Sequence, residues 1–313
     1  MNDETHKKDP LLICVIGPTA SGKSALALRL AANLCGEIVN CDSMQMVKDL
    51  EIGTAKPGPG ERESCPHHLF DLVSVAEVYS AGQYMIQARR ICSEISSRGR
   101  VPVVTGGTGL YLRALLQGMF EGPSRSEGIR DRLKRISERK GTAFLHKWLS
   151  GKDPQAAEKI KPGDEVRLIR ALEVRISTGR PISSLQGQED ALSGYRVVRI
   201  GLNPERGLLY DRINKRVVIM FDSGLLNETR RLLEKGYDAS SKGFEALGYR
   251  YAIQVLKGGM DETRAIELTQ RDSRRYAKRQ MTWFRREPHV RWIHTSGETD
   301  EAYETALEII QGF

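Results

Sequence analysis

The sequence predicts an α/β fold in which a parallel sheet flanked by helices is interrupted by a mostly helical, basic insertion. Strand and helix patterns alternate through the first 117 residues, which is typical of a parallel sheet. A glycine-rich sequence follows the first apolar run directly. From residue 118 the pattern becomes helical, with 15 Lys and Arg against 8 Asp and Glu over residues 125–180.

The elements of the core follow from their residue patterns. Apolar or alternating runs predict strands at residues 11–16, 37–41, 101–104, 196–202 and 290–293. Helical periodicity predicts helices at residues 23–34 and 82–98. We therefore expect one core over residues 1–117 and 195–313, and an insertion domain over residues 118–194. Residues 183–194 are polar and rich in turn formers, so they are the best linker candidate.

Composition and charge exclude several classes of protein. The 313 residues are 40% apolar, enough for one large or two modest domains. No apolar run approaches the roughly 18–20 residues that span a bilayer, and the first residues resemble neither a signal nor a transit peptide. The net charge of +8 favours an anionic partner. Five cysteines without Cys-x-x-Cys spacing indicate reduced thiols, no zinc site and a cytoplasmic location.

The glycine-rich sequence is a phosphate-binding loop of the form Gly-x-x-x-x-Gly-Lys-Ser. It consists of Gly17, Pro18, Thr19, Ala20, Ser21, Gly22, Lys23 and Ser24. Its glycines let successive N–H groups point at phosphate oxygens, and the following helix adds its positive N-terminal dipole. Lys23 supplies a point charge, and the Ser24 hydroxyl suits a Mg²⁺ ion. The loop therefore predicts a P-loop NTPase-like core and a bound diphosphate or triphosphate.

Polar residues follow two further strands of the predicted sheet. Asp42 comes directly after the second strand, and Thr108 follows the strand at residues 101–104. Ligands bind at the carboxyl ends of parallel strands, so both side chains are expected beside Lys23. Asp42 has two possible functional roles, as a general base or as a ligand of Mg²⁺ through water. The alternative is a structural role as a turn residue. The Gln45 amide suits the edge of a nucleic-acid base.

Residues 271–286 form a basic run that separates into two helical faces. At about 100° per residue, the Arg and Lys side chains fall within an arc of about 140°. Tyr276, Ala277, Gln280, Met281, Trp283 and Phe284 occupy the other side. Asp272 is the one acid in this run. The run is therefore either a polyanion-binding strip or a solvated face.

Several stretches, taken in order, resemble the bacterial tRNA dimethylallyltransferases, also called tRNA isopentenyltransferases, of the IPP transferase family over nearly the full length. They are residues 17–24, 42–45, 52–57, 67–69, 79–81, 106–111, 153–154, 167–173, Arg212 with Arg216, 248–249 and 277–285. The resemblance implies a prenyltransferase that carries a dimethylallyl group from dimethylallyl diphosphate to N6 of adenine 37 in tRNA, next to the anticodon. The products would be N6-(dimethylallyl)adenosine and diphosphate, with Mg²⁺ as cofactor.

The resemblance also implies roles for individual residues. Asp42 would be the general base and Thr108 would place the amine, while the loop 17–24 and Arg216 would hold the diphosphate. The implied tRNA-binding residues are Asp42, Ser43, Met44, Gln45, Thr108, Arg130, Arg167, Arg170, Gly248, Tyr249, Arg250, Lys278, Arg279, Gln280, Thr282, Trp283 and Arg285. The insertion and the C-terminal basic helix would contact the anticodon stem-loop, with the protein as a monomer and no membrane partner. Val47, Gly163 and Glu245 depart from the family pattern.

Three other functions also explain parts of the sequence. An adenylate isopentenyltransferase would alkylate free AMP, ADP or ATP, but it needs neither the insertion nor the basic strip. An ATP-dependent polynucleotide kinase would use the same loop and a basic surface. A non-enzymatic RNA-binding module leaves the loop, Asp42 and Thr108 unexplained.

Overall fold

A computed structural model describes residues 9–120, 122–185 and 190–313. The chain divides into two compact units. The larger unit runs to Leu116 and resumes from Leu192 to Phe313, and the smaller unit is Gln117–Ala191. None of the helices in these ranges is both long and apolar enough to cross a membrane. Within the predicted linker, residues 186–189 lie outside the described residues.

The larger unit is built on one parallel sheet. Over the described ranges its six strands are β1 Leu11–Ile16, β2 Gly36–Asn40, β3 His67–His68, β4 Val101–Gly106, β5 Arg196–Leu202 and β6 Val290–Ile293. Their order is β3-β2-β4-β1-β5-β6, and every neighbouring pair is parallel. The predicted fold class is confirmed, because five of these strands match predicted runs within one or two residues. The sequence patterns did not predict β3.

Thirteen helices accompany the strands in the part of the chain that is described. They are α1 Lys23–Asn33, α2 Pro59–Ser64, α3 Ala81–Ser97, α4 Gly109–Gln117, α5 Glu127–Lys140, α6 Thr142–Ser150, α7 Pro154–Lys159, α8 Glu165–Thr178, α9 Arg206–Asp222, α10 Leu225–Glu234, α11 Tyr249–Leu256, α12 Glu262–Phe284 and α13 Asp300–Gln311. Side-chain caps fix several of their first turns; Ser80, for example, accepts a hydrogen bond from the N–H of Gln83.

Two apolar cores stabilise the larger unit. On one face of the sheet, Ile13 and Val15 of β1 pack with Leu26 and Leu30 of α1. This contact fixes α1 directly behind the strand that precedes it. The second core joins α9, α10, α11 and α12 through a separate cluster of buried residues that includes Val217, Phe221, Leu225, Tyr249 and Ala265. The second core, with a smaller cluster of Leu209, Ile213 and Ala277, holds α9 against α12.

The smaller unit, helices α5 to α8, has its own core and a buried ion-pair network. Its core includes Leu133, Leu145, Leu149, Leu168 and Leu172. The Glu173 carboxylate is completely buried and accepts hydrogen bonds from Arg130 and Arg170, each at 2.9 Å, and from the N–H of Ser126 at 2.8 Å. Burial opposes ionisation of Glu173, but these donors outweigh it and lower its pKa to about 2.

Candidate active site

A cavity of about 1430 Å³ opens at the carboxyl ends of β1, β2 and β4 in the larger unit. Its walls include the phosphate-binding loop, residues 42–45, the segment 51–59 and one face of α9. Tyr276 and Arg279 of α12 also line it. The predicted meeting of loops at this edge of the sheet is therefore observed.

The shape of the phosphate-binding loop depends on glycine. Gly22 has a φ of +84°, and a Cβ on it would lie 2.8 Å from the backbone N of Gly297. The N–H of Gly297 donates to the Ser21 carbonyl at 2.9 Å, so the loop after β6 packs against the phosphate-binding loop. Helix α1 begins at Lys23, and the residues of its first turn, whose N–H groups have no partner within the helix, line the cavity. This arrangement suits an anion.

Two cations and one carboxylate dominate the charge at the loop. The Lys23 ammonium lies 3.4 Å from the Pro18 carbonyl oxygen. Burial lowers the pKa of Lys23 to about 8; the Asp42 carboxylate opposes this shift, and Arg216 adds to it. Burial also lowers the pKa of Arg216, again against the effect of Asp42. Because the cations outnumber the carboxylate, the site favours a negatively charged ligand.

Helix α9 contributes two arginines one turn apart. Arg216 Nη1 donates to Thr19 Oγ1 at 2.9 Å, and Arg212 Nε donates to the Ala20 carbonyl at 2.9 Å. Arg212 also pairs with Glu298 from the loop after β6. Arg216 was predicted at the diphosphate. Arg212 was noted only as part of a matching stretch, so its contact with the loop is a structural finding.

Hydrogen bonds tie Thr108 to the two residues that flank Asp42 in the chain. The N–H of Thr108 donates to the Cys41 carbonyl at 3.1 Å, and the N–H of Ser43 donates to Thr108 Oγ1 at 3.0 Å. One carboxylate oxygen of Asp42 accepts from the N–H of Met44 at 3.0 Å. Asp42 is thus held in a turn by one oxygen. A carboxylate has further acceptor capacity for the cavity that it lines.

The two predicted faces of helix α12 are seen from Arg275 onward, whereas Arg271 and Arg274 are only half exposed and Arg274 donates to Asn214 of α9. The buried residues of α12 include Ala277, Gln280, Met281 and Phe284, whereas Arg275, Lys278, Arg279, Arg285 and Arg286 are exposed. Asp272 neutralises part of the strip, since it pairs with Arg271 at 3.0 Å and Arg275 at 3.7 Å. Lys278 and Arg285 form no ion pair with described residues. The uncompensated charge therefore lies toward the C-terminal end of the helix.

Some residues implied as tRNA contacts are engaged inside the fold. Tyr249 is fully buried, and its hydroxyl donates to Glu228 and accepts from the N–H of Gly53. Arg130 and Arg170 are bound to Glu173, as described above. The Gln45 amide donates to the carbonyls of Thr54 and Ala55 at 3.1 and 2.9 Å, which leaves only its oxygen for a base.

Other implied contacts lie at the surface. The side chains of Arg167 and Arg250 are 64% and 62% exposed, and each pairs with one aspartate, Asp164 or Asp272. Thr282 is exposed on α12 beside Lys278. Gly248 has a φ of +97° and precedes the first residue of α11, so its conformation sets the start of that helix. These positions remain predicted contacts.

Lys56, a residue of the cavity wall, has no role predicted from the sequence. Its side chain is 1% exposed, and Nζ donates to the Val47 carbonyl at 2.6 Å, to Glu51 at 3.0 Å and to Asp71. These bonds hold the segment 51–59 in its place on the cavity wall. From the sequence alone, Lys56 looks like an ordinary solvated lysine. The one sign of a role in the site is that it lies in the matching stretch 52–57.

The phosphate-binding loop, the parallel sheet and the cavity between them define a P-loop enzyme. A family model described as IPP transferase matches residues 45–287. The tRNA dimethylallyltransferase of Koribacter versatilis is 49% identical over 304 residues, which cover 97% of this chain and 99% of that protein. The chain belongs to the IPP transferase family and is a prenyltransferase.

Solved structures agree with this assignment. The full-length tRNA isopentenylpyrophosphate transferase of Bacillus halodurans is 38% identical, with a TM-score of 0.72, and the match covers 97% of this chain and 96% of that one. A eukaryotic dimethylallyltransferase, described as acting on tRNA, is 26% identical with a TM-score of 0.83. That match covers 98% of this chain and 79% of that one. The family resemblance found in the sequence is thereby confirmed.

Proposed function

We propose that this protein transfers the dimethylallyl group of dimethylallyl diphosphate to N6 of adenine 37 in tRNA. The observation that carries the proposal is one cavity in which a carboxylate, Asp42, lies beside a phosphate-binding loop and two cations, Lys23 and Arg216. The relatives named tRNA dimethylallyltransferase support the choice of donor and acceptor. Most proteins with such a loop hydrolyse or transfer the γ-phosphate of a nucleotide, whereas the proposed reaction involves no γ-phosphate.

The phosphate-binding loop would stabilise the leaving group. As the bond between the prenyl carbon and the diphosphate oxygen breaks, both electrons leave with the oxygen, and negative charge increases there. The first N–H groups of α1, Lys23 and Arg216 all lie around this part of the cavity. Preorganised donors of this kind stabilise developing charge more effectively than water does.

Asp42 would accept the proton from the adenine amine. The nitrogen forms its new bond to the prenyl carbon, and the N6 proton passes to the carboxylate as general base. The Thr108 hydroxyl is bonded to Ser43, the residue that follows Asp42, and would orient the amine. The target base has to leave its stack to reach such a site.

A Mg²⁺ ion fits the oxygen donors of the loop. The Ser24 hydroxyl lines the same cavity as Asp42 and Lys23, and Mg²⁺ prefers oxygen ligands supplied largely by substrate phosphates and water. Ser24 would hold the Mg²⁺ ion directly, and the ion would neutralise charge on the diphosphate. The chemistry assigned to Asp42 and Lys23 does not change with this addition.

The exposed end of α12 would bind the phosphates of the tRNA. Lys278, Arg279 and Arg285 supply positive charge there, and Arg167 is an exposed cation of the smaller unit. Such contacts give affinity without base specificity. The base would be selected in the cavity, where the Gln45 oxygen remains available.

Mass spectrometry of nucleosides tests the proposed reaction. Purified protein is incubated with dimethylallyl diphosphate, Mg²⁺ and unmodified tRNA, and the tRNA is digested. We expect N6-(dimethylallyl)adenosine at position 37 and none from tRNA in which adenine 37 is replaced. Prenylation of free AMP or ATP in place of tRNA, or transfer of label from ATP to tRNA, would contradict the proposal.

A further inference from the structure

Helix α12 contacts the turn that carries Thr108 through a buried amide. The Gln280 residue is only 5% exposed. Its Nε2 donates to the Gly107 carbonyl at 2.9 Å, and its Oε1 accepts from the N–H of Thr19 at 2.8 Å. The two partners fix the amide orientation, because an N–H only donates and a carbonyl only accepts. One side chain therefore bridges the phosphate-binding loop and the Thr108 turn.

The turn is also shaped to receive this helix. A Cβ on Gly107 would lie 2.1 Å from Gln280 Nε2, and a Cβ on Gly109 would lie 2.1 Å from Trp283 Cδ1. Glycines on both sides of Thr108 thus leave the space that two α12 side chains fill. Because Gln280 and Trp283 are about one helical turn apart, they hold the turn from the same helix face.

We propose that Gln280 is a positioning residue, which fixes the phosphate-binding loop relative to Thr108. Through Thr19 it sets one end of the reaction, the bound diphosphate. Through Gly107 it sets the other end, the hydroxyl of Thr108 beside Asp42. This inference rests on the proposed function and replaces the direct tRNA contact expected of Gln280, since both polar ends of its amide are used inside the fold. Helix α12 would then bind RNA with its exposed face and align the reacting groups with its buried face.

Two substitutions at one position test this role. Gln280→Ala removes both hydrogen bonds, and misalignment of reacting groups by about 1 Å can reduce rates about 100-fold. We expect its single-turnover rate at saturating substrates to fall about 10- to 100-fold, with tRNA affinity unchanged within about twofold.

Gln280→Glu keeps the shape and the bond from Thr19, but its ionised second oxygen would face the Gly107 carbonyl. Protonation restores a donor, and burial raises the pKa of such a carboxyl. The rate of Gln280→Glu relative to wild type should therefore rise as the pH falls from 8 to 6.

Thr269→Ala provides the matched control on the same helix. Thr269 is fully buried, but its hydroxyl donates to the Ala265 carbonyl within α12 and contacts neither loop. We expect this variant to melt at a lower temperature and to turn over normally per folded molecule.

Loss of tRNA affinity in Gln280→Ala with a normal rate would overturn the proposal in favour of an RNA contact. A lower melting temperature with a normal rate would overturn it in favour of a purely structural role. If wild type forms no prenylated tRNA, the proposed function itself fails.

Discussion

The binding of dimethylallyl diphosphate should weaken above pH 8 because Lys23 loses its proton there. Burial lowers the pKa of this ammonium to about 8, and Arg216 adds to the shift while Asp42 opposes it. Lys23 is then roughly nine-tenths protonated at pH 7 and roughly one-tenth protonated at pH 9. If only the protonated form binds well, the apparent Kd rises with the fraction lost, by roughly tenfold between these two pH values.

Titration calorimetry across pH 7 to 9.5 measures this dependence. Lys23→Arg is the matched control, since a guanidinium stays protonated throughout this range. The ligand ionises identically in both experiments, so the ratio of the two Kd values isolates the contribution of Lys23. Above pH 8, binding to wild type should also take up a proton from the buffer. Lys23→Ala should bind weakly at every pH. A ratio that stays constant from pH 7 to 9.5 would refute the assignment of Lys23 as the titrating contact.

Two further predictions concern RNA binding and the smaller unit. Lys278→Ala combined with Arg285→Ala should reduce the log–log salt slope of tRNA binding by about 1.4–1.8, the value for two phosphates. Arg275→Ala should change the slope less, because the Arg275 side chain pairs with Asp272. If the slope is unchanged in both proteins, the strip is only a solvated face. Glu173→Ala should lower the free energy of unfolding of the smaller unit by about 3–5 kcal/mol, since it leaves the partly buried Arg130 and Arg170 unpaired. Arg167→Ala, the control, should change it by less than about 0.5 kcal/mol. Equal denaturation midpoints for these two variants would contradict the ion-pair network around Glu173.

Local signals explain which parts of the fold could be predicted. The strand β1, the glycine loop and α1 are adjacent in sequence, so one stretch of residues determines all three. The strand β3 was not predicted because two residues, His67 and His68, carry no periodicity. They form a strand only because residues 38 and 39 of β2 lie beside them. The faces of α12 could be predicted because helix geometry depends on spacing alone.

Contacts between distant residues explain what the sequence could not provide. Arg130 looks like a basic surface residue, yet its partner Glu173 lies 43 positions away and is buried. Gln280 was predicted on the buried face of its helix, but its partners lie 173 and 261 positions away. The meeting of Asp42 and Thr108 was predicted, because both follow strands of one parallel sheet. The hydrogen bonds of Thr108 to Cys41 and Ser43, on either side of Asp42, depend on the fold and have no signal in the sequence.

The most direct test of the proposed chemistry is the single-turnover rate of Asp42→Asn with tRNA and dimethylallyl diphosphate. Asparagine keeps the size and the acceptor for the Met44 N–H, but it cannot take the proton from the amine. We expect a rate about 10²–10⁴-fold below wild type, with both substrates bound nearly as tightly and an unchanged melting temperature. A near-normal rate in a variant that melts like wild type would contradict it, and Asp42 would then be only a turn residue.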